Sequence, residues 1–298
     1  MALVVTLSLG LPNFGQWYGD DPRALVDLGR AADDAGVDRV VVTDHVVMGE
    51  DLSAYVWGRF PTPPDGPWLE PLTVLTAIAG VTSRVRLATG ILIAPLRPAT
   101  VLAKTVATLD ALSGGRVDLG VGVGWQEAEY AAGGLDFSAR GRMLEDTVGA
   151  CRALWSRLPA SYSSTTVTFE RVHCVPQPVQ QRLPVWFSGT LTKRTVRRVV
   201  ELGDGWIPIM GASLEDIREG AARLREAAER PLEVQAPVQV RRGGDGRCDL
   251  TATMAEVPVL ATAGVTNVYL NAASFAPSPR EAAELLPAVV RAFRVVSR

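Results

Sequence analysis

The sequence has few of the residues that form disulfide frameworks and metal clusters. Its three cysteines, Cys151, Cys174 and Cys248, and its two histidines, His45 and His173, are widely separated along the chain. An odd number of distant cysteines is not the pattern of a disulfide framework, and the spacing of a metal site is missing as well. We therefore expect a metal-free protein of the reducing cytoplasm.

The sequence also lacks an excess of charge of one sign and a long apolar run. Its 30 basic and 32 acidic residues leave a net charge of −2 and are dispersed along the chain. Nucleic acids and anionic membranes are therefore poor partners, and a small-molecule substrate is favoured. Residues 1–19 begin apolar but contain Pro12 and Asn13, lack a basic segment and are too short to span a bilayer, so we expect a first strand there.

What the chain does contain is an alternation of strand and helix patterns. The predicted strands cover residues 2–9, 38–43, 85–93, 116–122, 183–188, 205–208, 233–240 and 265–270. The predicted helices cover residues 22–35, 71–82, 98–112, 139–156, 192–203, 214–229, 250–263 and 279–296. Eight strand–helix units in 298 residues match the α/β architecture of a (β/α)8 TIM barrel, with one domain over residues 1–298, and a doubly wound sheet is the alternative.

Two connections are longer than the usual loops of a barrel. Residues 44–69 form an extended loop after strand 2 and are rich in proline, glycine and aromatics, whereas residues 157–182 form an irregular insertion after a helix. Because barrels place their chemistry at the carboxyl ends of the strands, we expect the first loop to belong to the functional site.

Aromatic residues follow strands one, two and four, so in a barrel they would gather over one mouth. They are Phe14, Trp17, Trp57, Phe60, Trp68 and Trp125. A pocket that they line would suit an apolar or aromatic substrate, with residues 46–68 as a lid. In the alternative interpretations each aromatic packs a loop onto the barrel, or Arg59 and Arg97 anchor a charged substrate.

An acidic and a basic side chain stand together where the second strand ends. Asp44 and His45 follow Thr43 at the carboxyl edge, where both can face the mouth. A carboxylate beside an imidazole suits proton transfer, because histidine titrates near neutral pH and the acid tunes it. A capping aspartate with a surface histidine is the alternative.

Glycines follow the fourth strand. Residues 120–125 read Gly-Val-Gly-Val-Gly-Trp, a spacing that departs from the dinucleotide fingerprint G-x-G-x-x-G. Without Cβ atoms these positions would let a flat ring or a phosphate approach the backbone, or they serve only a tight turn.

A basic cluster begins the helix that follows the fifth strand. Lys193, Arg194, Arg197 and Arg198 lie at the positive end of the helix dipole, which is unfavourable unless an anion binds there. The cluster therefore indicates a phosphate site, and a solvated basic face is the alternative.

Six motifs occur in this order along the chain: "TDH", "RVRLATGILIAPLRP", "AKTVATLDALSGGRVDLGVGVGW", "RGRMLED", "LPVWFSG" and "ELGDGW". Together they resemble the luciferase-like monooxygenase superfamily, in particular its branch that depends on the deazaflavin coenzyme F420. The resemblance covers residues 3–210, and "AGVTNVYL" adds the eighth strand. It implies a barrel that holds an isoalloxazine-type ring across the carboxyl ends of its strands.

The resemblance also implies which positions form the cofactor site. Asp44 and His45 match the Asp-His pair that deazaflavin members place beside the ring, whereas FMN members more often have Glu-His, and this favours F420. Gly90 and Ile91 match a non-prolyl cis peptide that supports the ring. Val123 and Gly124 match the phosphate-side backbone, and residues 188–190 match a second phosphate turn, which is expected to offer backbone N–H groups and hydroxyls to the phosphate. The positions implied for the cofactor are Asp44, Gly90, Ile91, Val123, Gly124, Trp125, Ser188, Gly189 and Thr190.

The catalytic assignment follows from a departure from the family pattern. Members that oxidise sugar phosphates or alcohols carry a glutamate directly after the fourth-strand glycine, where this chain has Trp125. We therefore assign proton transfer to His45, with Glu127 and Glu129 as alternatives.

The activity that the resemblance implies is hydride transfer between F420 and a small organic substrate. One alternative is an FMN-dependent monooxygenase served by a partner reductase, and another is a non-catalytic flavin-binding barrel. Because the family often dimerises, we also expect a homodimer.

Overall fold

The computed structural model describes residues 5–297 and shows that the short apolar runs of the chain form strands. The strands are β1 (Thr6–Gly10), β2 (Arg39–Val42), β3 (Arg86–Thr89), β4 (Leu92–Ile93), β5 (Val117–Gly122), β6 (Ala160–Ser163), β7 (Thr168–Val172), β8 (Val185–Ser188), β9 (Gly205–Ile207), β10 (Glu233–Pro237) and β11 (Asn267–Asn271). The helices are α1 (Arg23–Ala35), α2 (Pro71–Ala79), α3 (Ala99–Ser113), α4 (Glu127–Ala132), α5 (Arg140–Ser156), α6 (Lys193–Leu202), α7 (Leu214–Ala227), α8 (Leu250–Met254), α9 (Val257–Thr262), α10 (Ala272–Phe275) and α11 (Pro279–Val296). Single 3-10 turns lie at Ala94–Leu96 and Phe137–Ala139.

Pairing between β3 and β5 closes the sheet into a barrel. The hydrogen-bonded order is β3-β2-β1-β11-β10-β9-β8-β5-β4, and Leu87 and Ala88 of β3 also lie opposite Val117 and Asp118 of β5. Because β3 and β4 share one place in the ring, the barrel has eight strand positions, all parallel. The predicted (β/α)8 barrel is confirmed, and the alternative of a doubly wound sheet is wrong because such a sheet has two open edges.

The predicted third strand, residues 85–93, is interrupted by a bulge. Leu87 lies opposite Val117 and Leu92 lies opposite Val121, so this strand has one residue more than its partner over the same stretch. The interruption falls at Gly90, where the peptide bond to the next residue is cis, as the resemblance implies. The strand therefore appears as β3 and β4.

Other predicted boundaries also differ from the structure. The predicted helix over residues 250–263 is two helices, α8 and α9, because Pro258, the second residue of α9, has no N–H to continue the hydrogen bonds of α8. The insertion at residues 157–182 is not irregular throughout, since β6 and β7 form an antiparallel hairpin. The short helices α4 and α10 were not predicted. The first residues of the predicted strand 2–9, residues 2–4, lie outside the described residues.

The helices cover the barrel with their apolar faces. Leu25, Leu28 and Ala32 of α1 are buried at helical spacing. A Cβ at Gly29 would lie 2.8 Å from the Cγ2 of Ile78, so this glycine allows α1 and α2 to pack closely. In the part of the chain that the structure describes, no helix combines the length and the apolar character needed to cross a membrane.

Charged side chains fill the amino-terminal end of the barrel interior. Asp118 accepts hydrogen bonds from Arg39 Nε at 2.7 Å and from Arg86 Nη2 at 2.6 Å. The guanidinium carbon of Arg39 also lies 4.6 Å from the ring centroid of Trp186. Burial alone would raise the pKa of Asp118, but the two arginines outweigh it and hold the pKa below its usual value. Asp118 is therefore the counter-charge that stabilises two arginines inside the barrel.

Replacing this counter-charge should destabilise the protein strongly. We expect Asp118→Ala to lower the free energy of unfolding by about 3–5 kcal/mol, because among the described residues the buried guanidinium of Arg39 would keep only the carboxylate of Glu233, at 3.9 Å. Urea denaturation at neutral pH measures the change, with Asp27→Ala on the exposed face of α1 as the control. Because the pKa of Asp118 is lowered on folding, its contribution is present above about pH 4 and is lost as the pH falls through the folded-state pKa. A loss below about 1 kcal/mol at neutral pH would contradict this assignment.

Candidate active site

A cleft of about 360 Å³ opens at the carboxyl ends of the barrel strands. This volume lies within the range of about 300–1,000 Å³ that small-molecule sites usually have. Most predicted site residues line it, namely Asp44, His45, Trp57, Phe60, Trp68, Gly90, Ile91, Val123, Gly124, Trp125, Ser188 and Gly189. The structure therefore gathers residues from five widely spaced segments around one space.

His45 is held between two partners. Its Nδ1 lies 3.1 Å from Glu129 Oε2, and the indole Nε1–H of Trp125 donates to its Nε2 at 3.3 Å. An indole nitrogen can only donate, so Nε2 must be unprotonated and the proton of the neutral imidazole must lie on Nδ1. That proton is donated to Glu129, whose other oxygen accepts the backbone N–H of Val46 at 2.6 Å. The imidazole is thus fixed in one tautomer and one orientation, and the alternative of a surface histidine is wrong because only 8% of the side chain is exposed.

The two candidate glutamates of α4 have different surroundings. Glu129 is fully buried against His45, whereas Glu127 is exposed on the outer face of the same helix. Tyr130, next to Glu129, donates from its hydroxyl to the carbonyl of Val123 at 2.6 Å and fastens the helix to the end of β5. The structure therefore brings Glu129 to the imidazole and leaves Glu127 in solvent.

Both carboxylate oxygens of Asp44 accept hydrogen bonds from protein groups. Its Oδ2 accepts the backbone N–H of Ile93 at 2.8 Å and Arg97 Nη1 at 2.6 Å, and its Oδ1 accepts Arg97 Nη2 at 3.0 Å. Arg97 also binds Glu70 at 2.9 Å, so two carboxylates neutralise it. Arg59 is exposed and lies outside the cleft lining. The geometry thus places neither arginine as the anchor of a charged substrate in the cleft.

The long loop after β2 is fastened at both ends. The side-chain amide of Asn13 donates to the carbonyls of Thr43 and Leu69, at 2.8 Å and 2.6 Å, and its oxygen accepts the N–H of Thr43 at 3.0 Å. Arg97 adds a second clamp, because its two carboxylate partners also stand at the start and the end of the loop. The aromatic side chains of the loop are thereby positioned over the cleft.

Aromatic rings surround the imidazole. The ring centroid of His45 lies 4.7 Å from that of Trp68, 5.7 Å from Phe60 and 5.8 Å from Trp125, each in an edge-on arrangement. Tyr55, which was not predicted, packs 5.0 Å from Phe60 and 5.4 Å from Trp125. These contacts form an apolar wall on the side of the cleft where His45 lies.

Two predicted pocket residues lie outside the cleft lining. Phe14 stacks on Trp68 with 4.4 Å between the ring centroids and supports it from behind. Trp17 packs against the core, and its indole N–H donates to the carbonyl of Ala276 at 3.0 Å. Both follow β1, and their loop packs on the barrel instead of turning over the mouth. Only the aromatics of the later segments form the pocket wall.

The cleft lining includes three glycines, Gly90, Gly122 and Gly124, which we call the glycine floor. A Cβ at Gly90 would lie 2.5 Å from Val41 Cγ1, and a Cβ at Gly122 would lie 2.8 Å from Ile91 Cδ1. Gly124 has a positive φ of 68°, a conformation that favours glycine. Side chains at Gly90 and Gly122 would collide with Val41 and Ile91, so these positions require glycine. The glycine floor is therefore backbone without side chains, which a ring can approach closely.

Only part of the turn that was predicted to bind a phosphate lines the cleft. Ser188 and Gly189 line the cleft, but Thr190 is exposed outside it. The N–H of Gly189 donates to the carbonyl of Ile207 at 3.1 Å, so it is not directed at a ligand. The prediction that the whole turn offers backbone donors is therefore wrong for this N–H, because the pairing of β8 with β9 extends to it.

Only some of the four cations in the predicted basic cluster are free of protein partners among the described residues. Arg194 and Arg198 both bind the carboxylate of Glu145, at 2.8 Å and 3.0 Å, and Arg198 is buried. These two cations neutralise a protein carboxylate, so the four predicted cations do not form one anion site.

The sequence patterns did not assign several residues that line the cleft, namely residues 207–210, Thr43, Tyr55, Pro61 and Ile93. We call residues 207–210 the β9 wall. Ile207 ends β9 and residues 208–210 follow it, and the rule that barrels use the carboxyl ends of all their strands could have identified them. Tyr55 bridges to the β9 wall, since its hydroxyl lies 3.6 Å from the sulfur of Met210.

Comparisons with known proteins agree with this architecture. A family model described as luciferase-like monooxygenase matches residues 2–284. An uncharacterised protein of Mycobacterium tuberculosis (strain ATCC 25618 / H37Rv) is 39% identical over 139 residues, which are 47% of this chain and 49% of that protein. The chain thus matches about half the length of that relative.

A second relative and a solved structure extend the comparison. The F420-dependent glucose-6-phosphate dehydrogenase of Amycolatopsis mediterranei is 28% identical over 255 residues, which are 80% of this chain and 70% of that enzyme. The monooxygenase RslO1 from Streptomyces bottropensis superposes with a TM-score of 0.77 at 19% identity, over 97% of this chain and 98% of that one, and therefore has the same fold. Because the family model matches nearly the whole chain, the protein belongs to the luciferase-like monooxygenase family.

Proposed function

We propose that this protein is an oxidoreductase that transfers a hydride between coenzyme F420 and a small apolar or aromatic organic substrate. The observation that carries the proposal is the cleft itself, whose lining combines the glycine floor with an imidazole of fixed tautomer. The similarity to an F420-dependent dehydrogenase supports the choice of coenzyme.

The residues of the cleft fit a deazaflavin. Gly90, Ile91 and Gly122 would support the face of the ring, and the hydroxyl of Ser188 would bind the phosphate side. When bound, the coenzyme would supply a ring carbon, C5, that gives or accepts the hydride. The chain supplies alignment of that carbon with the substrate, exclusion of water and a proton.

His45 would exchange the proton that accompanies the hydride. Its Nε2 is the unprotonated nitrogen, and its single lone pair accepts the indole N–H of Trp125. In the oxidation of an alcohol the substrate hydroxyl would replace this indole N–H and give its proton to Nε2 as the hydride leaves the carbon. In the reverse direction the same nitrogen would return the proton to the oxygen. Glu129, hydrogen-bonded to Nδ1, would stabilise the imidazolium that forms between these events. Glu129 is thus a positioning residue in this proposal.

The walls of the cleft favour an uncharged substrate. Among the described residues that line it, none is lysine or arginine. The relative that is named a glucose-6-phosphate dehydrogenase acts on an anionic sugar, and this cleft offers no cation for a phosphate on the substrate. Tyr55, Phe60, Trp68 and Trp125 instead offer apolar surface beside His45.

An FMN-dependent monooxygenase served by a partner reductase is the second candidate. Its support is the family description and the similarity in fold to a monooxygenase. The glycine floor would accept the FMN ring as well, so the two candidates differ in which reduced ring the protein binds. A non-catalytic flavin-binding barrel would have no need for the hydrogen-bonded imidazole.

A binding titration separates these candidates. We expect the purified protein to bind F420 at least about tenfold more tightly than FMN, in oxidised and reduced forms, because the Asp44-His45 pair is typical of deazaflavin members. Fluorescence quenching of each compound gives the dissociation constants. Tighter binding of FMN would support the monooxygenase, and binding of neither compound would contradict both candidates.

Removing the imidazole should affect turnover far more than coenzyme binding. We expect His45→Ala to lower kcat by about 10²–10⁴-fold, the usual range for a positioned acid–base group, with little change in coenzyme affinity. His173→Ala is the matched control, because it removes the only other histidine, which is exposed in the insertion. Near-normal turnover of His45→Ala would show that this residue is only a wall of the site.

A substrate panel tests the apolar character of the cleft. With reduced F420 we expect turnover of apolar ketones, enones and aromatic carbonyl compounds, and little or none of sugar phosphates, because burying a phosphate without a cation is costly. Steady-state kcat/KM values for matched pairs of neutral and phosphorylated substrates provide the measurement. A preference for the phosphorylated compounds would exclude the proposed substrate class.

A further inference from the structure

A second depression lies beside the cleft and is lined by cations. Its volume is about 560 Å³, and its lining is Arg142, Lys193, Arg194, Arg197 and Glu145. We call the four cations the basic patch. A single carboxylate faces four positive side chains, and all four of these side chains are exposed. The patch is therefore a local concentration of positive charge on a chain whose net charge is −2.

Most of this charge is not neutralised by the protein. Glu145 accepts hydrogen bonds from Arg194 at 2.8 Å, and the pKa of Glu145 is lowered first by this bond. Within residues 5–297, Lys193 and Arg197 form no hydrogen bond or ion pair, and Arg142 has only a hydrogen bond of 3.3 Å to the hydroxyl of Thr165. Three cations thus remain available to a ligand.

The position of the patch at the N-terminus of α6 is electrostatically unfavourable. Lys193 is the first residue of α6, which has ten residues, and Arg197 lies one turn later on the same side. Cations in the first turn of a helix face its positive end and are unfavourable there. A negative charge beside these cations would stabilise them. The carboxylate of Glu145 supplies such a charge at one edge of the patch.

The patch continues from the cleft. Ser188 and Gly189 form the cleft wall, Thr192 caps α6, and Lys193 follows directly. A Cβ built on Gly189 would have no atom within 4 Å, so the space above this residue is open. A ligand whose ring occupies the cleft and whose chain leaves past Gly189 would therefore pass onto the patch.

We propose that the basic patch binds the anionic tail of the coenzyme, a chain of carboxylates attached through a phosphodiester to the deazaflavin ring. This inference rests on the proposed function, and it assigns Lys193 and Arg197 to the glutamate part of the tail. Several carboxylates in a row match several cations along one surface, whereas the single phosphate of FMN would not reach beyond the wall at Ser188 and Gly189. The patch would thus distinguish coenzyme forms by tail length.

The inference is tested with three coenzyme forms. They are F420 with several glutamates, the form with the phosphodiester but no glutamate, and the ring with its ribityl chain alone. We expect the wild-type protein to bind the oligoglutamyl form most tightly at low salt. Raising the salt from about 0.02 M to about 0.5 M should remove its advantage over the glutamate-free form, because exposed charges are screened.

The double variant Lys193→Gln, Arg197→Gln locates the effect. We expect its dissociation constant for the oligoglutamyl form to rise between about twofold and twentyfold, to that of the glutamate-free form, because exposed ion pairs contribute modestly. Its affinity for the other two forms should not change. The control is Arg218→Gln, Arg280→Gln, which removes the same charge from exposed helix positions elsewhere. Thermal melting checks that both variants fold.

The outcomes separate this inference from the proposed function. If the wild type binds all three forms equally, the ring site stands and the patch is only a solvated basic face. An equal loss in the control variant would show an effect of net charge and would also overturn the inference. If none of the three forms binds, the proposed function is wrong and the inference fails with it.

Discussion

The pairing of β3 with β5 is the constraint on which the rest of the structure depends, because it closes the barrel. His45 follows β2 and Glu129 follows β5, and the two residues are 84 positions apart in the chain. They meet only because closure places the exits of these strands around one cleft. At the other end of the same strands, Asp118 lies between Arg39 and Arg86. One ring of backbone pairing therefore supports both the ion cluster and the site.

Two buried carboxylates stabilise the site through hydrogen bonds to protein groups. Asp44 accepts the N–H of Ile93 and the guanidinium of Arg97, whereas Glu129 accepts the N–H of Val46 and the imidazole of His45. Asp44 thus connects the end of β2 to the segment after β3, and Glu129 connects α4 to the end of β2. A ligand on this side of the cleft meets aromatic surface, and it reaches the Nε2 of His45 only by replacing the indole N–H of Trp125.

The apolar lining of the cleft and the basic patch are separate surfaces that lie next to each other along the chain. The cleft lining contains no lysine or arginine among the described residues, while the basic patch begins four positions after Gly189. A ligand with a planar, uncharged end and an anionic end would match both surfaces at once. Burial of the planar end would depend on the hydrophobic effect, and binding of the charged end would depend on salt.

The sequence by itself determined the order of the barrel strands and of the helices between them, and the ends of the strands at which Asp44, His45 and Gly124 stand. These features depend on local periodicity and on neighbours in the chain, so a pattern is sufficient to predict them. Only the tertiary structure decided between Glu127 and Glu129, placed Trp17 on the core instead of in the cleft and engaged the N–H of Gly189 with β9. The two glutamates are alike in sequence context, and the direction of each side chain is fixed by its helix packing against a loop more than eighty positions away. Such contacts exist only after the barrel has closed.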